Sequence, residues 1–205
     1  MRVDEALRRE IVAAVQRIEQ SSAAEVVVTI VPRSAAHWDV TLTASLVAVL
    51  LFQAAAAAFF PDVSALHVAI DSTGLALLVG LLGRALAPLE RLLLPGRVKE
   101  RRVEVGAESA FCRQAIFRTR AHTGMLVYLS LLERRAVFLP DDGLVRALPS
   151  ASLAALRAET ARLFNAPDAA KALLAFLDHF GRVATRHLPA CPDDVNELPD
   201  TPVTG

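Results

Sequence analysis

Leu7, Ile11, Ala14, Val15 and Ile18 recur at helical spacing, while Arg8, Arg9, Glu10 and Gln16 fall on other faces, a pattern that predicts an amphipathic helix over residues 4–20. The period then changes. Residues 24–31, "AEVVVTIV", form a β-branched run with almost no polar interruption before Pro32, which predicts a strand covered on both sides. Further along, Val103, Ala107, Ala110, Phe111, Gln114 and Phe117 or Arg118 form a mostly apolar stripe that predicts a second amphipathic helix over residues 98–121, broken at Thr123 and Gly124. Two short apolar runs, Met125 to Leu132 and Arg135 to Leu139, flank the polar pair Glu133 and Arg134 and predict a two-stranded hairpin that ends in the turn residues Pro140 to Gly143. Two helices follow, over residues 150–164 and 168–187, with Ser150 and Asp168 as their expected caps. The last segment, 191–205, is acidic and proline-bearing, and is expected to be a flexible tail.

Between the first strand and the second amphipathic helix the polar positions nearly vanish. Val40 to Phe60 carries no formal charge, and at about 1.5 Å per residue this span crosses a hydrocarbon core of roughly 30 Å. Val63 to Gly83 is a second such span, containing His67 and Asp71, and Pro61 and Asp62 make the short loop between them. A buried hairpin in a soluble core is the alternative, but a small domain would struggle to cover two helices of this length. The basic residues flank the spans: Arg33 lies before the first, while Arg84, Arg91, Arg97 and Lys99 follow the second. From this charge bias both termini are expected in the cytoplasm, in a multi-pass chain.

Asp71 near a span's centre costs about 2.5–3.5 kcal/mol on an insertion scale. If the hairpin turns at Pro61 and Asp62, Gln53 lies at the same depth, and the two side chains are expected to contact each other, with His67 on the same face as Asp71. Polar glue within the hairpin or a homo-oligomer is one role for this group; an ion or proton path is another. Trp38, where the first span begins, is expected to anchor the membrane interface. "ALAPLERLLLPGR" then mixes leucines with charges and predicts an interfacial exit.

Composition agrees with this division. Hydrophobic residues make up 54% of the chain and the mean hydropathy is +0.41, above the roughly 45–50% apolar content of soluble domains, with the excess lying between residues 40 and 94. The 22 basic residues balance the 22 acidic ones, so nucleic acid is not an expected partner. Cys112 and Cys191 are far apart and form no C-x-x-C motif, which argues against a disulfide framework. The charged opening "MRVDEALRREIVAAVQRIEQ" argues against a cleaved signal peptide.

The segments "SSAAEVVVTIVPRSAAHWD", "AFCRQAIFRTRAHTGMLVYLSLLERRAVFLPDDGL" and "HLPACPDDVNELPD", with a membrane hairpin after the first, together resemble the membrane-embedded bacterial branch of the TPM-domain family over nearly the whole chain. The resemblance implies an α/β fold, a three-layer α/β/α sandwich around a small sheet, interrupted by an inserted two-helix transmembrane hairpin. Residues 1–36 and 97–190 would then be two parts of one domain, with 37–96 the hairpin and its exit. Asp141 and Gly143 match the family's turn after the hairpin, and Glu133 and Arg134 match its polar turn. Some plant members are described as acid phosphatases that bind calcium near acidic loops, and other members assist membrane complexes. The membrane branch has no settled activity.

Nothing in the chain has the spacing of a phosphate-binding loop, a dinucleotide fingerprint, a zinc protease helix or a hydrolase elbow. The best acidic group is Asp141 and Asp142 at a strand end, which Glu25 would join if the first strand runs beside the hairpin. Pro-Asp-Asp-Gly is strong turn chemistry by itself, and the same oxygens suit a hard cation, Ca²⁺ or Mg²⁺. Two functions are therefore expected: a membrane-tethered interaction or assembly module working with the lipid bilayer and other membrane proteins, and, as the alternative, a metal-dependent phosphatase at the cytoplasmic membrane surface.

Overall fold

The first helix, α1 (Glu5–Ser21), buries the side its spacing predicts, Leu7, Ile11, Ala14, Val15 and Ile18, and Asp4 caps it by accepting the Leu7 N–H at 2.9 Å. A computed structural model provides the fold and describes residues 3–34, 38–85, 95–190, 198 and 201–204. The protein is mixed α/β. It divides at Ser34 and Pro95 into two compact units: one is built from the chain on either side of the insertion, the other from the insertion itself.

In the first unit, β1 (Glu25–Val31) pairs in parallel with β2 (Gly124–Ser130), placing Glu25 opposite Gly124 and Val31 opposite Ser130. β3 (Arg135–Pro140) returns antiparallel to β2, with Ser130 opposite Arg135. The pleat sends alternate residues to opposite faces. Val26, Val28, Ile30, Met125, Val127, Leu129, Ala136 and Phe138 join α1 and the later helices in one buried cluster, whereas Val27, Leu126 and Tyr128 join a second, with Val137 and Leu139 packed beside it. Because both sides of β1 and β2 meet apolar partners, these strands need no polar alternation. This is what the uninterrupted run in β1 encodes.

The second cluster is closed by α4 (Gly96–Arg113) through Val103, Ala107 and Ala110. This helix is shorter than its apolar stripe predicts. At about 100° per residue, Ile116 on a continued helix would lie opposite Val103, pointing away from the sheet. The chain instead turns at Ala115, which adopts a left-handed φ of 53°, and Ile116 enters the core completely buried from a short 3-10 turn. Gln114 Nε2 supports the break by donating to Thr29 Oγ1 at 2.9 Å.

Three helices complete the first cluster. α5 (Asp142–Ala147) occupies what the sequence predicts as a plain turn, and contributes Leu144. α6 (Ser150–Arg162) contributes Leu153 and Leu156; its cap position is Pro149, so Ser150 is the first helical residue and not the side-chain cap expected of it. α7 (Ala169–His187) is capped as predicted by Asp168, which accepts from Ala170 and Lys171 N–H. Its Phe176 and Phe180 rings lie 6.1 Å from Phe138, edge-on and tilted respectively. The tail is not simply free: β4 (Val203–Thr204) adds in parallel to the open side of β1, giving the order β3-β2-β1-β4.

The second unit holds α2 (Trp38–Phe59) and α3 (Ala65–Ala85). Ser45, Ala48, Val49, Phe52 and Ala56 are partly covered along one stripe of α2, as are Val68, Leu75, Ala76 and Val79 along α3, where Ser72 is buried. These stripes form the seam, where Ser45 Oγ donates to the Ala76 carbonyl at 3.4 Å. Small residues keep the two backbones close. The expected interfacial exit, 86–94, lies outside the described residues.

Candidate functional site

The acidic group predicted from sequence gathers around Gly124. Asp141 directly follows β3 and donates its N–H to the Gly124 carbonyl at 2.8 Å, while Glu25 faces Gly124 from β1. Asp141 is almost wholly buried and is the cap of α5: its Oδ1 accepts the Asp142 N–H at 2.8 Å, and its carbonyl accepts from Val145. Its other oxygen lies 3.3 Å from His122 Nδ1. Glu25 is also buried, and its Oε2 accepts the Leu198 N–H at 3.2 Å. Asp142 is exposed on the first turn of α5.

These contacts give Asp141 and Glu25 structural partners. Gly143 tightens the same turn, since a Cβ there would overlap the carbonyl oxygens of Ala121 and His122. Among the described residues, no group of three or more His, Cys, Asp or Glu side chains is placed to hold a metal ion. Topology bears on the same point. Glu25 and Gly124 are the first residues of β1 and β2, whereas ligands of open parallel sheets collect beyond the carboxyl ends of the strands.

At those carboxyl ends sits a carboxylate that sequence reasoning treated as a polar turn. Glu133 is buried, receives the Ser130 hydroxyl at short range, and lies 3.4 Å from the Ser34 N–H. The Leu131 and Leu132 amides donate to the carbonyls of Val31 and Pro32 beside it. Glu133 therefore pins the last residue of the sheet unit before the insertion begins. The Ser-Leu-Leu-Glu spacing was the available signal: it returns a carboxylate onto the serine three residues earlier. Ser34 Oγ is buried beside this group without a hydrogen-bond partner among the described residues.

The hairpin group is arranged differently from expectation. Gln53, His67 and Asp71 are all exposed, outside the seam, and no hydrogen bond joins Gln53 to Asp71. The residue that enters the seam is the neighbouring Ser72, which is 5% exposed and donates to the Val68 carbonyl at 2.6 Å. A rotation of one residue, about 100°, separates the two positions, and the larger polar side chains are turned outward by it. His67 Nδ1 lies 2.6 Å from Ser64 Oγ within its own helix. Trp38 opens α2, and its side chain lies outside the described residues.

No protein-family model matches the chain, and no curated protein is similar to it. Among solved structures, the chain is similar to the NMR structure of BA42 protein from the psychrophilic bacterium Bizionia argentinensis. The TM-score is 0.61 at 14% identity, covering 100% of this chain and 97% of that one. At this identity the likeness is one of fold.

Proposed function

We propose that the chain is an integral protein of the bacterial inner membrane, in which the α2–α3 hairpin tethers a three-layer α/β/α domain of the TPM type to the inner leaflet. There the domain acts as an interaction or assembly module for other membrane proteins. The observation that carries this reading is the surface of the hairpin. Leu42–Phe59 and Ala65–Leu82 have mean hydropathies of 2.0 and 1.8, yet only 0% and 6% of these windows are buried. Helices of a soluble core would hide such faces, whereas Leu51, Phe59 and Leu66 are each at least two-thirds exposed. Lipid is the solvent that matches them.

The site geometry favours a module over a catalyst, because the carboxylates a metal-dependent phosphatase would use are occupied by a helix cap and by the tail. Helices packed on both sides of the sheet are consistent with the sandwich. Arg33 and the basic residues after α3 favour cytoplasmic ends for both spans.

Alkaline carbonate extraction and cysteine labelling test the tether. Cys112 is exposed on the sheet unit. In a Cys191→Ala background, an impermeant maleimide is expected to miss Cys112 in intact cells and to modify it after permeabilisation, while Asp62→Cys, with Cys112→Ala and Cys191→Ala, is labelled from outside. Release of the chain by carbonate, or labelling of Cys112 in intact cells, overturns the reading. Phosphate-ester turnover that requires Ca²⁺ or Mg²⁺ and disappears in Asp141→Asn would replace the module with the phosphatase.

A further inference from the structure

β4 pairs with the outer side of β1 at Thr29 and Ile30, but among the described residues no strand pairs with the outer side of β3. Among the described residues, Arg135 to Leu139 make no backbone hydrogen bond beyond the β2 ladder. A bare edge offers alternate N–H and C=O groups to any extended chain that reaches it. Here the edge forms the floor of a groove of about 370 Å³. Glu100, Glu104 and Glu108 of α4 make one wall, and Arg157 and Ala161 of α6 contribute to the other.

The walls stand on opposite faces of the sheet, since α4 packs on the Val137 side and α6 on the Phe138 side. The three glutamates are exposed and make no ion pair among the described residues. Their spacing matters. Four helical residues advance about 6 Å, and two residues of a strand advance about 6.6–6.8 Å. A strand added to β3 and running along α4 would offer every second side chain at nearly the repeat of the glutamates, over three successive positions.

The geometry points to the β3 groove as a docking site for an extended segment of a partner protein with Lys or Arg at every second position, added to the sheet as a new strand. This rests on the module reading above and names the site and the chemistry of the partner. A second copy of the chain is a poor occupant. Antiparallel pairing of two β3 edges about a two-fold axis normal to the sheet places α4 beside α4, setting one acidic row against the other.

The test uses the full chain in zwitterionic micelles with a fluorescein-labelled peptide of alternating lysine and threonine. Saturable binding is expected, together with slowed hydrogen exchange at Arg135 to Leu139. The same peptide methylated at alternate backbone nitrogens keeps its charge and is expected not to bind. Replacing the three residues by Glu100→Lys, Glu104→Lys and Glu108→Lys should weaken binding about tenfold, the sum of three exposed ion pairs, and transfer preference to a glutamate–threonine peptide. Equal binding of the methylated peptide overturns the inference, as does a lack of saturable binding. Protection of Arg135 to Leu139 that grows with protein concentration alone assigns the groove to a second copy and also overturns it. None of these failures moves the carbonate and Cys112 results, so the tether reading and this one fail separately.

Discussion

The Leu198 backbone N–H donates to Glu25 Oε2 at 3.2 Å, joining residues 173 positions apart. The carboxylate begins β1, and the amide precedes the two residues that pair with Thr29 and Ile30. Holding Leu198 aligns the tail with the strand it extends. Glu25→Ala is expected to lose about 1–3 kcal/mol, the worth of a charged hydrogen bond, and to speed amide exchange at Val203 and Thr204 well above the rest of the sheet. Urea titration and hydrogen-exchange mass spectrometry measure the two effects. Unchanged exchange at the tail would show that β4 holds itself.

Phe138 is the side chain of β3 that meets α7, between Phe176 and Phe180. Phe138→Ala leaves a cavity among rigid neighbours and should cost about 3–5 kcal/mol, against roughly 1 kcal/mol for Phe138→Leu, which keeps most of the volume. Thermal or urea denaturation in micelles, followed by circular dichroism, ranks the two.

Gly143→Ala forces a methyl group into the Ala121 and His122 carbonyl oxygens, which are backbone and cannot rotate away. A loss of about 1–3 kcal/mol is expected, larger than for Gly96→Ala, whose added carbon meets only the end of Arg135 at 3.9 Å. The comparison separates close approach from the general helix preference for alanine.

Ser72 and Asp71 are adjacent in sequence but face different surroundings, and the hairpin should report this. Ser45→Cys with Ala76→Cys, in a Cys112→Ala and Cys191→Ala background, is expected to form a disulfide across the seam. Adding Asp71→Leu should leave the crosslink intact, whereas Ser72→Leu should prevent it by separating the helices. Loss of the crosslink with Asp71→Leu would restore the aspartate to the interior of the pair.

Periodicity made α1, α7 and the β2–β3 hairpin legible, because each is long enough to repeat its pattern and buries the face the pattern marks. It could not announce α5, whose six residues complete less than two turns, so Asp141 was visible as an acidic turn residue but not as that helix's cap. Nor could the stripe of α4 reveal the break at Ala115, which is imposed by the place where Ile116 must go. β4 has only two residues and no pattern of its own; β1 supplies the reason for it. At the hairpin, the two spans were readable from the chain but their rotation was not, since packing across the seam decides which polar side chain turns inward.

The break between β1 and β2 also sets a schedule. The two strands are neighbours in the sheet but roughly a hundred residues apart in the chain, and at 5–20 residues per second a ribosome takes about 5–20 s to deliver the second after the first. For that interval Val26 to Ile30 waits for both of its strand neighbours, with α1 the only packing partner already made among the described residues. The order of the strands thus predicts a nascent chain that gains from early chaperone protection and a yield that changes with translation speed.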